Sequence, residues 1–367
     1  MKGRHVGQAW AINAWRHGQA LGALPCRRLW VLGLILAGVV FIGMPSAEAK
    51  RPAAAPESKG QSATPSTGPA EHVILIVLEG VGQDGLKAGP MPTLSRLVKE
   101  GSVTWSAAAV IPALRLPTMA SLLMGVPVEK HGVTWNSFDF ARGYPRPPTV
   151  FDYLDLSGGK DSAIFFMDES LYQLAKPEPY TDYQMCGPLK PECSPETVVH
   201  YIRDYFRKAT SGHGYGHAIL SLPHFLVVHL PQPGRVGAVS GWDSRAYRDA
   251  LRSVDSAMGS ILGLYQELGL LERTTVLVTA LSSDRAGKPG GNGASLPHVP
   301  WIAWGVGIKA GHVIEQPVSI VDIGATVMRV LGLETYTEWD SRAVEEIFST
   351  PKTAPPGTAA QGDRDAR

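Results

Sequence analysis

The chain has 367 residues, of which 44% are hydrophobic and 18% charged, with 40 Gly and 29 Pro. That balance fits a loop-rich globular protein and excludes disordered, collagenous and coiled-coil chains, and the length allows one large domain or two modest ones with a sizeable core. Lys+Arg 34 against Asp+Glu 33 gives a net charge of +1, without the positive excess that binding to a phosphate backbone favours, so no nucleic-acid partner is expected.

The charge is unevenly placed. Residues 1–49 hold five basic residues, Lys2, Arg4, Arg16, Arg27 and Arg28, and one acid, Glu48; the remainder carries 29 basic and 32 acidic residues, net −3. Arg27-Arg28 precede the apolar run Leu29 to Met44, and Ala47-Glu48-Ala49 then supplies the small-x-small pattern of a signal-peptidase site. Residues 1–49 therefore read as a cleaved signal peptide, and the mature chain as secreted or periplasmic with no stable membrane span. A run of 16 residues is short for a transmembrane helix. An uncleaved membrane anchor and a twin-arginine signal are the alternatives. Cys26 leaves with the signal. In an oxidising compartment the two remaining cysteines, Cys186 and Cys193, are expected to form a disulfide closing the loop Gly187 to Glu192, the alternative being two free buried thiols.

Residues 50–70 are Pro/Ala/Ser-rich without apolar periodicity and read as a flexible linker. Residues 350–367 have the same character and read as a disordered tail, which leaves one folded unit at 71–349. His72 to Leu78 is a continuous β-branched run ended by Glu79-Gly80, the pattern of a strand buried on both faces and hence of a parallel sheet. Similar runs follow at Ser162 to Met167, Phe225 to Leu230 and Thr275 to Leu281, with a shorter one at Trp301 to Trp304. Helical spacing marks Pro92 to Glu100, Pro117 to Met124, Ser194 to Thr210, Ser244 to Leu268 and Val318 to Leu331, with Pro92, Pro117 and Pro195 at first-turn positions. Alternating strands and helices predict an α/β fold, a three-layer sandwich around a mostly parallel sheet. In such sheets the site lies beyond the carboxyl ends of the strands, which points to Glu79, Gln232 and Leu281 to Ser283. Residues 143–216, richer in Pro, Tyr and Gly, read as an elaboration beside the sheet.

Three stretches carry a family resemblance: V-I-L-I-V-L-E-G-V (73–81), M-P-T-L-S-R-L-V-K-E-G-S (91–102) and V-I-P-A-L-R-L-P-T-M-A-S-L-L-M-G-V-P-V-E-K-H-G-V-T-W-N (110–136). The second half continues it in V-V-H-L-P-Q-P (227–233), Y-R-D-A-L-R-S-V-D-S-A-M-G (247–259), T-V-L-V-T-A (275–280), V-P-W-I-A-W-G-V-G-I-K (299–309) and V-S-I-V-D-I-G-A-T-V-M-R-V-L-G-L (318–333). Together these resemble the nucleotide pyrophosphatase/phosphodiesterase branch of the alkaline phosphatase superfamily over nearly all of 71–349. The resemblance implies an alkaline phosphatase-like fold. It would also imply hydrolysis of phosphate esters by a Thr or Ser nucleophile and two zinc ions held by about six Asp/His ligands.

The matching positions depart from that chemistry. The family's metal-binding Asp after the first strand is Glu79 here. The nucleophile's position holds Arg115, whose guanidinium cannot attack phosphorus and stays cationic. Where the family has Leu-Pro-Asp-Pro-Asp and then Gly-His, this chain has Gln232 after Leu230-Pro231 and Ala238 after Gly237. The family's Asp-His-Gly becomes Leu281-Ser282-Ser283, or Asp284-Arg285 if the match slides by three, and the last zinc His falls near Pro289 to Gly291, where none stands. Glu79, Arg115, Gln232, Ala238, Leu281 and Ser282 are therefore expected to mark a vestigial pocket, with no catalytic residue, no metal and no cofactor.

Among the other polar residues, His224 and His229 lie at an odd offset around a strand, which puts them on opposite faces, and His213 and His217 lie in a Gly-rich loop; neither pair reads as a metal site. His131 reads as fixing a turn. Ser240, Ser282 and Ser283 lack a Gly-x-Ser-x-Gly elbow. Trp135, Asn136 and Thr118 match the mouth of the family's substrate site and read either as packing and capping or as ligand contacts, so Arg115, Thr118 and Asn136 are the ligand-binding candidates. Arg115 is expected either to pair with Glu79, beside the anion-favouring start of the helix at Pro117, or to point to solvent. The chain thus reads as an exported, catalytically degenerate family member that binds a small anionic ligand or a protein partner. A residual phosphate- or sulfate-ester hydrolase using altered or single-metal chemistry is the alternative, and a purely structural cell-envelope role is a third.

Overall fold

Strand β1 (His72–Leu78) is buried along its whole length, as a run apolar on both faces requires. In the computed structural model, which describes residues 69–157, 159–175, 181–185, 193–211, 221–282 and 298–349, β1 lies inside a mixed sheet. It is followed by α1 (Gln83–Ala88), α2 (Pro92–Glu100), β2 (Ser102–Ala108), α3 (Arg115–Met124), α4 (Val128–His131), α5 (Val150–Leu156), β3 (Ser162–Phe166) and β4 (Thr181–Met185). The second half adds α6 (Pro195–Thr210), β5 (Phe225–Leu230), α7 (Gln232–Ser240), α8 (Arg245–Glu267), β6 (Thr274–Ala280), β7 (His298–Gly305), β8 (His312–Val313) and α9 (Ile323–Val330). Among the described residues the sheet has eight strands in the order β4-β3-β5-β1-β6-β7-β2-β8. All neighbours pair in parallel except β7, which runs antiparallel to both β6 and β2.

Strand alternation sorts the core into two layers. Val73, Leu75 and Val77 of β1, with Phe225 and Val227 of β5, join a core covered by α3, α5 and α9. Ile74, Ile76 and Leu78, with Leu226, Val228 and Leu230, join the opposite core under α2, α6 and α8. Helix α8 buries one face toward that core, with Leu251, Val254, Met258, Ile261 and Leu262 on it. The arrangement is the three-layer α/β sandwich read from the sequence.

Beyond shifts of one residue at strand and helix ends, the structure departs from the sequence reading in these places. Helix α3 starts at Arg115, so Pro117 is its third residue, and the first turn of the segment before α9 is a tighter helix, Ile320–Asp322. Strand β7 is twice the length of its apolar stretch at Trp301 to Trp304. Residues 143–216 do more than lie beside the sheet: β3 pairs with β5 and β4 pairs with β3, which extends the sheet, because Ser162 to Phe166 is as fully buried as β1 and needs a neighbour on each side. Cys186 lies outside the described residues, and with it the expected disulfide to Cys193. The linker up to residue 68, the tail, residues 1–49, His213, His217, Ser283, Asp284, Arg285 and Pro289 to Gly291 lie outside them too; Ala70, read as the linker's last residue, is instead buried in the core with its N–H donating to Val330 O at 3.1 Å, so the folded unit starts before Glu71. No helix among the described residues is long and apolar enough to cross a membrane.

Candidate functional site

Glu79 is the next residue after Val77 on the face that α3 covers. In the parallel register Val77 stands opposite His229, and His229 shares the parity of Phe225 and Val227, so it projects from that same face. The two side chains meet just beyond the carboxyl ends of β1 and β5: His229 Nε2 is 2.8 Å from Glu79 Oε1. Arg115 opens α3 above them. Its Nε donates to Glu79 Oε1 at 2.5 Å and its Nη2 to Oε2 at 2.9 Å, a fork-on-fork pair. Its remaining terminal nitrogen, Nη1, lies 2.9 Å from Asp168 Oδ2, just beyond β3. Asp168 in turn pairs with Arg235 of α7 at 2.6 Å and accepts from the Ser170 hydroxyl at 2.6 Å. One connected chain of charge, His229, Glu79, Arg115, Asp168 and Arg235, thus ties β5, β1, α3, the end of β3 and α7 together.

The backbone at this corner is shaped to bring α7 in. Gly80 has φ +67°, and a Cβ there would lie 2.4 Å from the Gly234 Cα, so only glycine allows both the turn and the close approach. The Gly80 N–H donates to Ser282 O at 2.8 Å and lies 3.2 Å from its Oγ, while Leu281 N–H donates to Leu78 O. Gln232, at the start of α7, carries a buried Oε1 with no hydrogen-bond partner. Glu79, Arg115, Gln232, Leu281 and Ser282 therefore gather around the ends of β1, β5 and β6, as the resemblance implies. Ala238 does not join them: it is exposed on the last turn of α7, since that segment is helical and carries it away from Gln232. Ser240, at the same helix end, is exposed as well.

Charge and burial are balanced. Burial raises the Glu79 carboxyl, but the hydrogen bonds from His229 and Arg115 outweigh it and hold the group below the ordinary carboxylate range. Asp168 shows the same contest, burial against Ser170, Arg115 and Arg235, with the same downward result. Burial pushes His229 below its usual value despite the Glu79 carboxylate. Its Nδ1 is buried without a partner, which fits a neutral ring whose proton sits on Nε2 and points at Glu79. Two carboxylates and two guanidinium groups then cancel.

The ligand-binding candidates have separate fates. Thr118 is completely buried within α3, because the third residue after Arg115 turns onto the core, and its hydroxyl has no hydrogen-bond partner there. Asn136 caps the helix: its Oδ1 accepts from the Leu116 N–H at 2.9 Å. Pro117 has no N–H, and the Thr118 N–H bonds to Leu114 O, so the start of α3 has little left for an anion. His131 fixes the turn after α4, its Nδ1 accepting from Val133 N–H and its Nε2 bonding Ser121 Oγ. His224 lies at the other end of β5, where its ring stacks on His72, far along the strand from His229.

Sequence reasoning missed Asp168, His229, Arg235 and Gln173. The buried Gln173 carboxamide receives Trp135 Nε1 and Asp139 N–H and donates to the Asp139 and Gly143 carbonyls. It thereby braces a pocket of about 190 Å³ walled by Phe138, Phe140, Tyr144 and Tyr172. Asp168 was readable by the rule that singled out Glu79, since it follows the strand Ser162–Phe166; the role of His229 depends on strand register, which no local pattern prints.

Among the described residues, the donor chemistry does not fit the two zinc ions that the resemblance implies. Both Glu79 oxygens are engaged by Arg115 and His229, Gln232 and Ser282 are neutral, and Ala238 has no donor. Among the described residues no group of three His, Cys, Asp or Glu side chains is placed to hold a metal ion.

Comparisons place this fold among known proteins. Mouse steryl-sulfatase is 25% identical over 269 residues, 67% of this chain but 36% of that protein, so the chain spans about a third of its length. Rat N-acetylgalactosamine-6-sulfatase is 35% identical over 105 residues, 24% of this chain and 20% of the relative. Human ectonucleotide pyrophosphatase/phosphodiesterase 5 superposes with a TM-score of 0.58 at 12% identity, covering 76% of this chain and 100% of that one. An inactive variant of the murine protein in complex with AMP gives 0.57 at 14% over the same shares. A 2-O GAG sulfatase gives 0.56 at 15%, covering 75% and 73%. These structures share the fold. The family model for type I phosphodiesterase / nucleotide pyrophosphatase matches residues 73–280, more than half of the sequence, and the chain belongs to that family.

Proposed function

We propose that this chain is an exported, non-hydrolytic member of the family that acts by binding a small anionic ligand or a protein partner at the mouth of the former active site. The observation that carries the reading is the guanidinium of Arg115, locked onto Glu79 and Asp168 at the position that the sequence resemblance matches to the nucleophile. Fold membership alone does not supply chemistry, and the Ser170 hydroxyl bonded to Asp168 faces a carboxylate that Arg115 and Arg235 hold ionised, a poor base for activating a nucleophile. Arg115 keeps 21% of its side chain exposed, so an anion would meet it only at that edge and in competition with Asp168. Residual hydrolysis of phosphate or sulfate esters is the second reading, favoured by family membership and by the carboxylate kept at Glu79.

The test is zinc content of the purified protein together with turnover of bis(p-nitrophenyl) phosphate, and calorimetry with phosphate or AMP on wild type and Arg115→Ala. Absent turnover and Arg115-dependent binding support the reading; stoichiometric zinc with turnover replaces it by the second. Export is checked by the amino terminus of the mature protein, expected at Lys50.

A further inference from the structure

Glu79, Asp168 and His229 surround one planar cation. The two Glu79 oxygens take two parallel N–H groups of Arg115, and Asp168 takes a third nitrogen from a different side. His229 closes the remaining approach to Glu79 Oε1 and is itself wholly buried. Asp168 and His229 occupy positions to which the family resemblance gives no metal, so this enclosure is not the family's zinc site with one ligand changed. Its dimensions are those of a guanidinium. A zinc ion needs donors at about 2.0–2.2 Å, whereas these carboxylates are held apart by the width of the guanidinium between them. An ammonium ion carries the charge but not the planar fork that spans two carboxylates.

We propose that Glu79, Asp168 and His229 form a guanidinium-binding site, which Arg115 fills from within its own chain and which free guanidinium fills once the Arg115 side chain is shortened. The proposal deepens the reading above, which takes Arg115 as the resident cation of the pocket. Removing Arg115 leaves Glu79, 7% exposed, with only a neutral histidine, and leaves Asp168 with Arg235. The net loss is one positive charge, which one guanidinium restores. The exposed edge of Arg115 provides the way in.

The test is thermal unfolding of the full chain carrying Arg115→Ala in low millimolar guanidinium chloride, far below denaturing concentrations, against equal sodium chloride and ammonium chloride. Guanidinium at ten times its dissociation constant should move the folding equilibrium about tenfold toward the folded state, a rise of about 3 °C in the midpoint. Sodium and ammonium should not do so, and neither the wild type nor Glu79→Ala/Arg115→Ala should respond. Should Arg115→Ala accumulate too little folded protein to melt, its soluble yield on dilution from urea, with and without guanidinium, is the same readout. An Arg115→Ala protein that answers guanidinium no more than sodium overturns the proposal, as does a double variant that answers equally. The readout is folding, so phosphodiester turnover by the wild type would remove the functional reading above while leaving this result to stand or fall alone.

Discussion

Arg115 and Glu79 have the properties of a buried ion pair whose value depends on both partners being present. Each group loses solvation, and the fork geometry, with His229 and Asp168, returns it. Arg115→Ala should therefore lower unfolding free energy by about 3–5 kcal/mol, because it leaves a buried carboxylate uncompensated, whereas Arg115→Leu/Glu79→Leu should come within about 1 kcal/mol of wild type or exceed it. Urea denaturation of the two variants checks this, and equal losses in both would contradict it. The histidines set a separate pH response. Burial lowers His72, His131, His224 and His229, with His131 brought to about 4. Each is neutral in the folded state when its unfolded counterpart begins to protonate, so stability is full above about pH 6.5 and falls as the pH drops below it. His131 alone should cost about 2 kcal/mol at pH 5. Its Nδ1 already accepts the Val133 N–H, so a proton there would face a donor. Glu79 and Asp168, held low, add their loss only further down, as the pH falls through their folded values. Urea midpoints at pH 7.5 and pH 5 should differ, and His131→Gln should shrink the difference; a flat profile would rule out the neutral rings.

Helix α2 shows how one element depends on another distant in sequence. Its amino end has no cap of its own, and the Asp255 carboxylate of α8, 3% exposed, accepts the Thr93 and Leu94 N–H groups at 3.0 and 2.8 Å. Asp255→Ala should cost about 2–3 kcal/mol, with Asp255→Asn recovering part of it, since two orphaned N–H groups and a negative charge at the positive end of the dipole are lost together. A loss under 0.5 kcal/mol in urea melts would show that water satisfies the helix end. Elements of this sheet were legible where burial writes a continuous apolar run, as in β1 and β5, or where a proline and a 3.6-residue stripe coincide, as in α2 and α6. Helix α7 was not legible. Its sequence QPGRVGAVS has two glycines and a proline, poor helix formers, and it is tertiary contact that uses them: Gly234 lies against Glu79, and Gly237 lets the Trp242 ring approach. Strand β2 was hidden for a related reason. Its SVTWSAA alternates weakly, and a register irregularity interrupts its pairing with β7.

At the scale of the molecule, the sheet and its helices have the fold of the family's solved relatives, and the reading proposed above is that the residues at the strand ends have left its chemistry. The sequence could point to the right corner because Glu79, Gln232 and Ser282 all follow apolar runs, but it could not say that Asp168 and His229 complete a neutral charge network there, which requires the order of strands β3, β5 and β1 and their register. On that reading, one substitution should not supply hydrolytic chemistry. Arg115→Thr places a hydroxyl at the position that the resemblance matches to the nucleophile, yet it also withdraws the cation that holds Glu79 ionised, and it adds no metal donor where Gln232, Ala238 and Ser282 stand. A hydroxyl without a metal or base beside it is a weak nucleophile at neutral pH. Helix α7 further carries Ala238 to an exposed turn, so a donor introduced at that position alone would face solvent rather than Glu79. Arg115→Thr should accordingly show no turnover of bis(p-nitrophenyl) phosphate above wild type, with or without added zinc, and should be less stable than wild type by an amount close to that of Arg115→Ala. Turnover that appears with zinc in the Arg115→Thr protein and vanishes with chelator would mean that Arg115 alone had blocked a working metal pocket, and that the neutral residues at the strand ends had been no obstacle.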